Sequence, residues 1–270
     1  YSPKFLAMYE NIVDPEHIGL NLIYSQFRTI EGIAIVSLVL EANGFARFKI
    51  RHTGNTWDMD MSEEDMGKPT YALYTGTETS EEREIIRNIY NGDWKYVPDN
   101  IKTKLEAISS NNNLGEIIKV LMITSAGSEG INLLNTRYVH IMEPYWHPVR
   151  TEQVIGRARR ICSHKNLPEK LRTVEVFMYI MQLTKEQLDS ELAVELRVKD
   201  LSKQAPYVPQ TSDEKLLEIS TIKKQITTQL LKGVKESSID CATYTKSNTK
   251  EGLKCLSFGK APASSFSYNP

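Results

Sequence analysis

Short apolar runs alternate with stretches of helical period through the first two thirds of the chain, and a chain written this way has few folds open to it. Leu20–Tyr24, Phe45–Ile50, Tyr71–Tyr74, Ile117–Ile123, Tyr138–Met142 and Val174–Met181 read as strands. Helices are expected at about Ile30–Asn43, stopping at Gly44, and around Asn100–Ile108. Two more are expected at Ser80–Tyr90, with Ser80 as N-cap and Glu81 and Glu82 in the first turn, and at Pro148–Ile161, opening on its proline. Strand-like runs that alternate with helical ones belong to a parallel sheet with crossover helices on its faces. The fold class is therefore α/β. The acidic stretch Gly54–Pro69 has no period and reads as a surface loop or hairpin, and Asn111–Asn113 reads as a loop.

Beyond Gln182 the pattern changes to helices, Lys185–Leu201 and Asp213–Glu236, joined by the proline-containing linker Ala205–Thr211. From about Thr243 the chain is rich in Ser, Lys and Gly and is expected to fray. The expected division is an α/β domain over 1–182, a helical extension over 183–242 and a flexible tail over 243–270. The sequence opens on Tyr1 rather than methionine, so an excised piece of a longer protein is expected.

With 270 residues, 40% of them hydrophobic, the chain can bury a sizeable core. Its net charge of -1 makes no global case for nucleic acid, so such a surface has to come from local clustering. Charge is in fact uneven: Arg150–Arg172 is basic and Asp58–Asp65 acidic. The three cysteines, Cys162, Cys241 and Cys255, read as too few and too scattered for a disulfide framework or a four-ligand zinc site, which points to a reducing intracellular compartment. The longest apolar run, Ile33–Leu40, is far short of a bilayer span, and no signal peptide is visible, so no membrane partner is expected.

The segment Gln153–Arg160, QVIGRARR, divides on a helix into two faces. At about 100° per residue Gln153, Gly156, Arg157 and Arg160 share one stripe, and Val154, Ile155, Ala158 and Ile161 the opposite one. One face can pack on a sheet while the other presents two guanidiniums beside a glycine, a combination suited to phosphate. Upstream, the strand ending at Ile123 runs into Thr124, Ser125, Ala126, Gly127, Ser128, Glu129, Gly130, Ile131 and Asn132. Gly127 and Gly130 permit close backbone approach to a ligand, and Thr124, Ser125 and Asn132 supply polar side chains. Ligands of open α/β sheets bind beyond the carboxyl ends of the strands, where these residues lie.

TSAGSEGINL, starting at Thr124, resembles motif V of superfamily 2 helicases, and QVIGRARR resembles their motif VI, Gln-x-x-Gly-Arg-x-x-Arg. Leu22–Phe27 is similar to motif IV, and Tyr74–Thr77 followed by Glu82-Arg83 to motif IVa. Order and spacing agree over Asn21–Arg160, as in the second RecA-like domain of the Snf2-type branch. The wording HIMEPYWHPVRTEQVIGRARRICSH, the strand TVEVFMYIM and the late KESSIDC resemble the helicase-like transcription ATPases of large nucleocytoplasmic DNA viruses.

That resemblance implies a RecA-like parallel sheet with a C-terminal helical extension. It further implies half of an ATP site, whose phosphate loop and metal-binding Asp-Glu pair come from an N-terminal RecA-like domain. No Gly-x-x-x-x-Gly-Lys-Ser/Thr occurs in the sequence, and Asp213-Glu214 follows a polar linker and reads as a helix start, so this chain alone is expected to be inactive. By the resemblance Arg157 and Arg160 are arginine fingers and Gln153 positions water or the γ-phosphate. Gly127, Glu129, Gly130, Asn132 and Gly156 would line ATP, which comes with Mg2+, and Ser25, Gln26, Thr75, Gly76, Thr124 and Ser125 would contact a DNA backbone. Partners implied are the N-terminal domain, DNA read without sequence preference, and a viral RNA polymerase or transcription-factor subunit. The setting would be host cytoplasm or nucleus, with packaging in the virion as a further option.

Plainer readings stand beside these. His140, His147 and His164 with Cys162 fit no zinc spacing, so structural roles and no metal site are expected. Tyr145 and Trp146 read better as packing under the arginine helix than as base-stacking groups, and Thr75–Thr77 could be a simple capped turn. Ser25 and Gln26 read equally well as a polar strand end. For the whole chain the alternative is a non-catalytic nucleic-acid-binding or polymerase-docking module that keeps the fold.

Overall fold

The computed structural model describes residues 2–29, 31–54, 56–125, 130–189 and 211–256. Six parallel strands form one sheet in the order β2-β5-β6-β1-β7-β8: β1 Leu20–Tyr24, β2 Ala46–Arg47, β5 Thr70–Tyr74, β6 Val120–Ile123, β7 Thr136–Ile141 and β8 Glu175–Met178. β3 (Ile50–Thr53) and β4 (Thr56–Met59) make a separate antiparallel hairpin, so the acidic insert is a hairpin followed by a single turn of tight helix at Glu63–Asp65.

Every residue of the central strands β1, β6 and β7 is buried, as strands covered on both faces must be, and the polar ones among them, Asn21, Thr136, Arg137 and His140, are buried too. Alternate residues feed two cores. Leu20, Leu22 and Tyr24 join Leu121, Ile123, Val139 and Ile141 under α3 (Ser80–Tyr90), α4 (Asp99–Ile108) and α5 (Pro148–Ala158). Ile23, Tyr71, Val120 and Met122 face the other way, onto α1 (Pro3–Val13) and α2 (Ile33–Ala42). This is the α/β sheet flanked by helices that the alternation predicts.

Several boundaries differ from expectation, each for a local reason. The N-cap of α3 is Thr79, whose hydroxyl accepts from Glu82 N–H at 3.2 Å, so Ser80 is already helical. Phe45–Ile50 shrinks to the two-residue β2, because Ile50 turns away to start the hairpin. The helix α1 is not among the expected elements, although Phe5, Met8, Tyr9 and Ile12 fall at i, i+3, i+4 and i+7 and pack in the second core. The departure that bears on the site is α5, which stops at Ala158 rather than Ile161.

Asp213 and Glu214 do open a helix, α7 (Ser212–Glu236), which follows the short α6 (Lys185–Asp189). Thr211 N–H donates to Glu214 Oε2 at 2.8 Å and Glu214 N–H to the Thr211 hydroxyl at 3.2 Å, a reciprocal capping box. The rest of the expected Lys185–Leu201 helix and most of the linker lie outside the described residues. Two compact units are present, 1–217 and 218–270. In the second, α8 (Ile239–Thr243) and α9 (Thr245–Lys250) replace the start of the expected fraying tail. There Cys241 and Cys255 form a disulfide, correcting the expectation that the cysteines stay unbridged: the turn between them folds the chain back on itself. Among the described residues no helix is long and apolar enough to cross a membrane.

Candidate functional site

Because all six strands are parallel, their carboxyl ends share one edge, and the loops after β1, β5, β6 and β7 deliver Ser25, Thr75, Thr124 and Glu143 to it. The chain then enters α5, which starts at His147 as N-cap and Pro148 as first helical residue.

On α5, Gln153 is exposed, Gly156 and Arg157 are half-buried, and Val154 and Ala158 pack into the first core, so the two-faced helix is present for its first 11 residues. It does not carry Arg160. Arg159 leaves helical geometry at φ -97°, ψ 79°, and Cys162 takes a left-handed φ of 60°. The expected stripe is thus corrected: Arg160 lies beyond the helix end, and Ile161, expected on the buried face, is 96% exposed. The break has a visible cause in Ser163. Its buried hydroxyl sits 3.0 Å from Ala158 O and 2.8 Å from His164 Nδ1, accepts Arg160 N–H at 3.3 Å, and so competes with helix continuation. His164 Nε2 donates to Thr136 O at 2.8 Å and Asn135 N–H to Ser163 O at 2.9 Å, pinning the turn to the start of β7.

Freed from the helix, Arg160 reaches back to the loop after β6. Its guanidinium donates to Ile131 O at 2.8 Å and to Asn132 Oδ1 at 3.1 Å. Gly130, one residue upstream, has φ 72°, a conformation that favours glycine. Gly127 and Glu129 lie outside the described residues. Arg157 Nε is buried and has no hydrogen-bond partner among the described residues. A Cβ built on Gly156 would meet nothing within 4 Å. Arg160 and Asn132 are therefore brought together, with Gln153, Gly156 and Arg157 on the adjoining helix.

Most of the residues expected to grip a nucleic-acid backbone are bonded within the chain, chiefly to two carboxylates. The Ser25 hydroxyl, fully buried, donates to Glu143 Oε1 at 3.0 Å, and Gln26 N–H donates to the same oxygen. Burial raises the Glu143 carboxyl above its ordinary range, against the lowering effect of those two donors. The buried Thr124 hydroxyl donates to Thr75 O at 2.9 Å, tying the loops after β5 and β6 together, and Ser125 is half-buried beside it in sequence. Thr75 and Gly76 hold the carboxylate of Glu78, a residue that the sequence reading passed over. A carboxylate two residues after a glycine in a Thr-Gly-Thr turn was the available signal. Burial raises Glu78, but its hydrogen bonds from the Thr75 backbone and from the Thr75 and Thr77 hydroxyls outweigh that and hold the carboxyl below its ordinary value.

The histidines have other employment. His140 sits between Tyr179 O–H, 2.8 Å from Nδ1, and Asn21 Oδ1, 2.9 Å from Nε2, while both nitrogens of His164 are used as above. His147 caps α5. Among the described residues no three His, Cys, Asp or Glu side chains converge as metal ligands. Tyr145 lies under Arg150, whose guanidinium carbon is 4.8 Å from the ring centroid, but Trp146 is 44% exposed and meets His147 edge-on rather than packing beneath the helix.

Residues 99–162, which include most of this arginine helix, match the model of the helicase conserved C-terminal domain. The chain is 34% identical over 201 residues to the termination factor NPH-I homolog of African swine fever virus, covering 66% of this chain and 26% of that protein. A candidate ATP-dependent RNA helicase of Acanthamoeba polyphaga mimivirus is 29% identical over 271 residues, the whole of this chain and 27% of the relative. The chain thus spans about a quarter of the length of these relatives. The crystal structure of the C-terminal part of the Fun30 ATPase domain superposes at a TM-score of 0.42 with 16% identity, over 82% of this chain and 52% of that one.

Proposed function

We propose that this chain is the C-terminal half of an ATP-dependent nucleic-acid translocase acting in viral transcription, and that it supplies arginine fingers to an ATP site completed by an N-terminal RecA-like domain. The observation that carries this reading is the pairing of Arg160 with Ile131 O and Asn132 Oδ1 just beyond the helix that bears Gln153, Gly156 and the half-buried Arg157. Two guanidiniums, one on α5 and one just beyond its end, make a donor set that a phosphate takes. The residues present therefore fit the triphosphate end of a nucleotide. Gln153, exposed on the same helix, would orient water or the γ-phosphate, and Gly130, Asn132 and Gly156 would border the nucleotide.

In this arrangement the planar guanidiniums of Arg157 and Arg160 stabilise charge that builds on the departing phosphoryl oxygens. Ile131 O and Asn132 hold Arg160 before the reaction, which limits the reorganisation that it needs. The Mg2+ that accompanies ATP would be held mainly by the N-terminal domain. Backbone contacts from the loops after β1, β5 and β6, with Ser25, Gln26, Thr75, Gly76, Thr124 and Ser125 at their ends, would make nucleic-acid binding independent of sequence and sensitive to salt. The viral transcription setting rests on the termination-factor relative, and a polymerase or transcription-factor subunit is the protein partner that it suggests.

The test is a steady-state ATPase assay on the full-length protein, with and without duplex DNA, single-stranded DNA and RNA, since one relative is named for RNA. Stimulation by DNA is expected, and Arg160→Ala should lower kcat by about 10³-fold or more with folding retained. An undiminished rate in Arg160→Ala would refute the finger. A folded full-length protein without nucleic-acid-stimulated turnover would favour a non-catalytic module.

A further inference from the structure

The loop after β5 carries its own anion. Glu78 Oε2 accepts Thr75 N–H at 2.8 Å and Gly76 N–H at 3.1 Å, and Oε1 accepts the Thr75 and Thr77 hydroxyls, each at 3.1 Å. With Gly76 at φ 97°, the two successive N–H groups turn toward one point, a backbone nest for an anion. Two amides and two hydroxyls converging on two oxygens is also a donor set that a phosphodiester takes. The nest is fixed in place: Thr75 is 4% exposed and its carbonyl accepts the Thr124 hydroxyl.

Thr75 and Gly76 are the groups read above as backbone-phosphate contacts, yet their donors are spent on a carboxylate three residues away in the same chain. One N–H cannot serve both anions, and two like charges in one nest repel. We propose that Glu78 is an internal competitor for the nest, an autoinhibitory carboxylate that a nucleic-acid phosphate must displace before the loop after β5 can grip the strand. The inference rests on the reading of Thr75 and Gly76 as phosphate contacts. It adds that this grip is conditional: the chain holds the loop closed on itself until a strand, seated by the other loops, outcompetes Glu78.

The experiment is fluorescence anisotropy of a fluorescein-labelled oligothymidylate 20-mer titrated with this chain, wild type and variants, at one fixed salt concentration. Glu78→Ala is expected to bind about 5- to 10-fold more tightly, with Glu78→Gln between it and wild type. Glu82→Gln, which removes the same unit charge nearby, is expected to change affinity less than about twofold. Thr75→Val should weaken binding most in the Glu78→Ala background, where the nest is open. Circular dichroism confirms that each variant folds, and Glu78→Gln, which can keep accepting from both amides, serves if Glu78→Ala does not. Binding by Glu78→Ala no tighter than wild type, while Thr75→Val weakens both, overturns the competitor and leaves the phosphate contact standing. Equal gains from Glu78→Ala and Glu82→Gln reduce the effect to net charge and overturn it too. If Thr75→Val changes nothing in either background, the contact itself is wrong and the inference falls with it.

Discussion

Among single residues, His140 shows most directly how burial decides chemistry. Asn21 donates its amide to Gly19 O at 3.1 Å, which leaves its Oδ1 to accept, so His140 Nε2 carries the proton and Nδ1 accepts from Tyr179 O–H. Asn11 in turn donates to the Tyr179 oxygen at 3.0 Å, and the Phe177 ring stacks 5.2 Å away, so the imidazole is wholly enclosed. Burial, with a small contribution from His17, pushes its pKa down to about 3 from an ordinary 6.5. The folded pKa lies below the unfolded one, so the unfolded state takes up the proton first. His140 therefore contributes fully above about pH 6.5 and loses that contribution as the pH falls toward 3, at about 1.4 kcal/mol per pH unit. Urea unfolding of wild type and His140→Gln at pH 7 and pH 4.5 should show the variant losing less on acidification, by about 2 to 3 kcal/mol. Parallel acid limbs for the two proteins would exclude a buried neutral histidine.

Elements were legible where period and composition act locally. β1, β6 and β7 could be read from their mainly apolar spelling, α3 and α4 from their helical periods, and the start of α7 from Asp213 and Glu214. Of the candidate site, the arginine helix and the loop after β6 could be read in the same way. The end of α5 could not, because Arg159, Arg160 and Ile161 continue the helical period. What stops them is the hydroxyl of Ser163 and the attachment of its neighbours to Asn135 and Thr136, more than 20 residues upstream. The Glu78 nest was hidden for the opposite reason: its bonds are local, but a polar turn residue spells many conformations alike. The break in α5 matters for Arg160, since an unbroken helix would hold it in phase with Gln153 and Arg157 rather than against Asn132. Ser163→Ala removes the competing hydroxyl from a buried turn and should lower unfolding stability by about 1 to 2 kcal/mol, read by urea denaturation. A loss below about 0.3 kcal/mol would mean that His164 and the Asn135 contact hold the break without it.

At the level of the whole molecule, the question is whether the arginine helix faces a second body. Gly156 lies in the interior of α5, where glycine costs about 1 kcal/mol relative to alanine. Close packing inside a chain can justify that cost, but here a Cβ would meet nothing within 4 Å, and the backbone is helical, so alanine fits without strain. Nothing described in this chain asks for glycine at that place. The relatives are about four times longer than the matched segment, and in the proposed assembly the space over Gly156 is where nucleotide and N-terminal domain meet the helix. The two halves of that argument separate experimentally. In this chain alone, Gly156→Ala should raise unfolding stability by about 0.5 to 1 kcal/mol, the ordinary gain of helix propensity. In the full-length protein the same methyl group should intrude on the closed cleft and lower kcat/KM for ATP by about tenfold or more, since displacing reacting groups by an ångström can cost 10²-fold. Stabilisation without any loss of turnover would leave the glycine unexplained and would place the nucleotide elsewhere on this edge of the sheet. Destabilisation of the isolated chain would instead reveal a neighbour over Gly156 from within the chain itself.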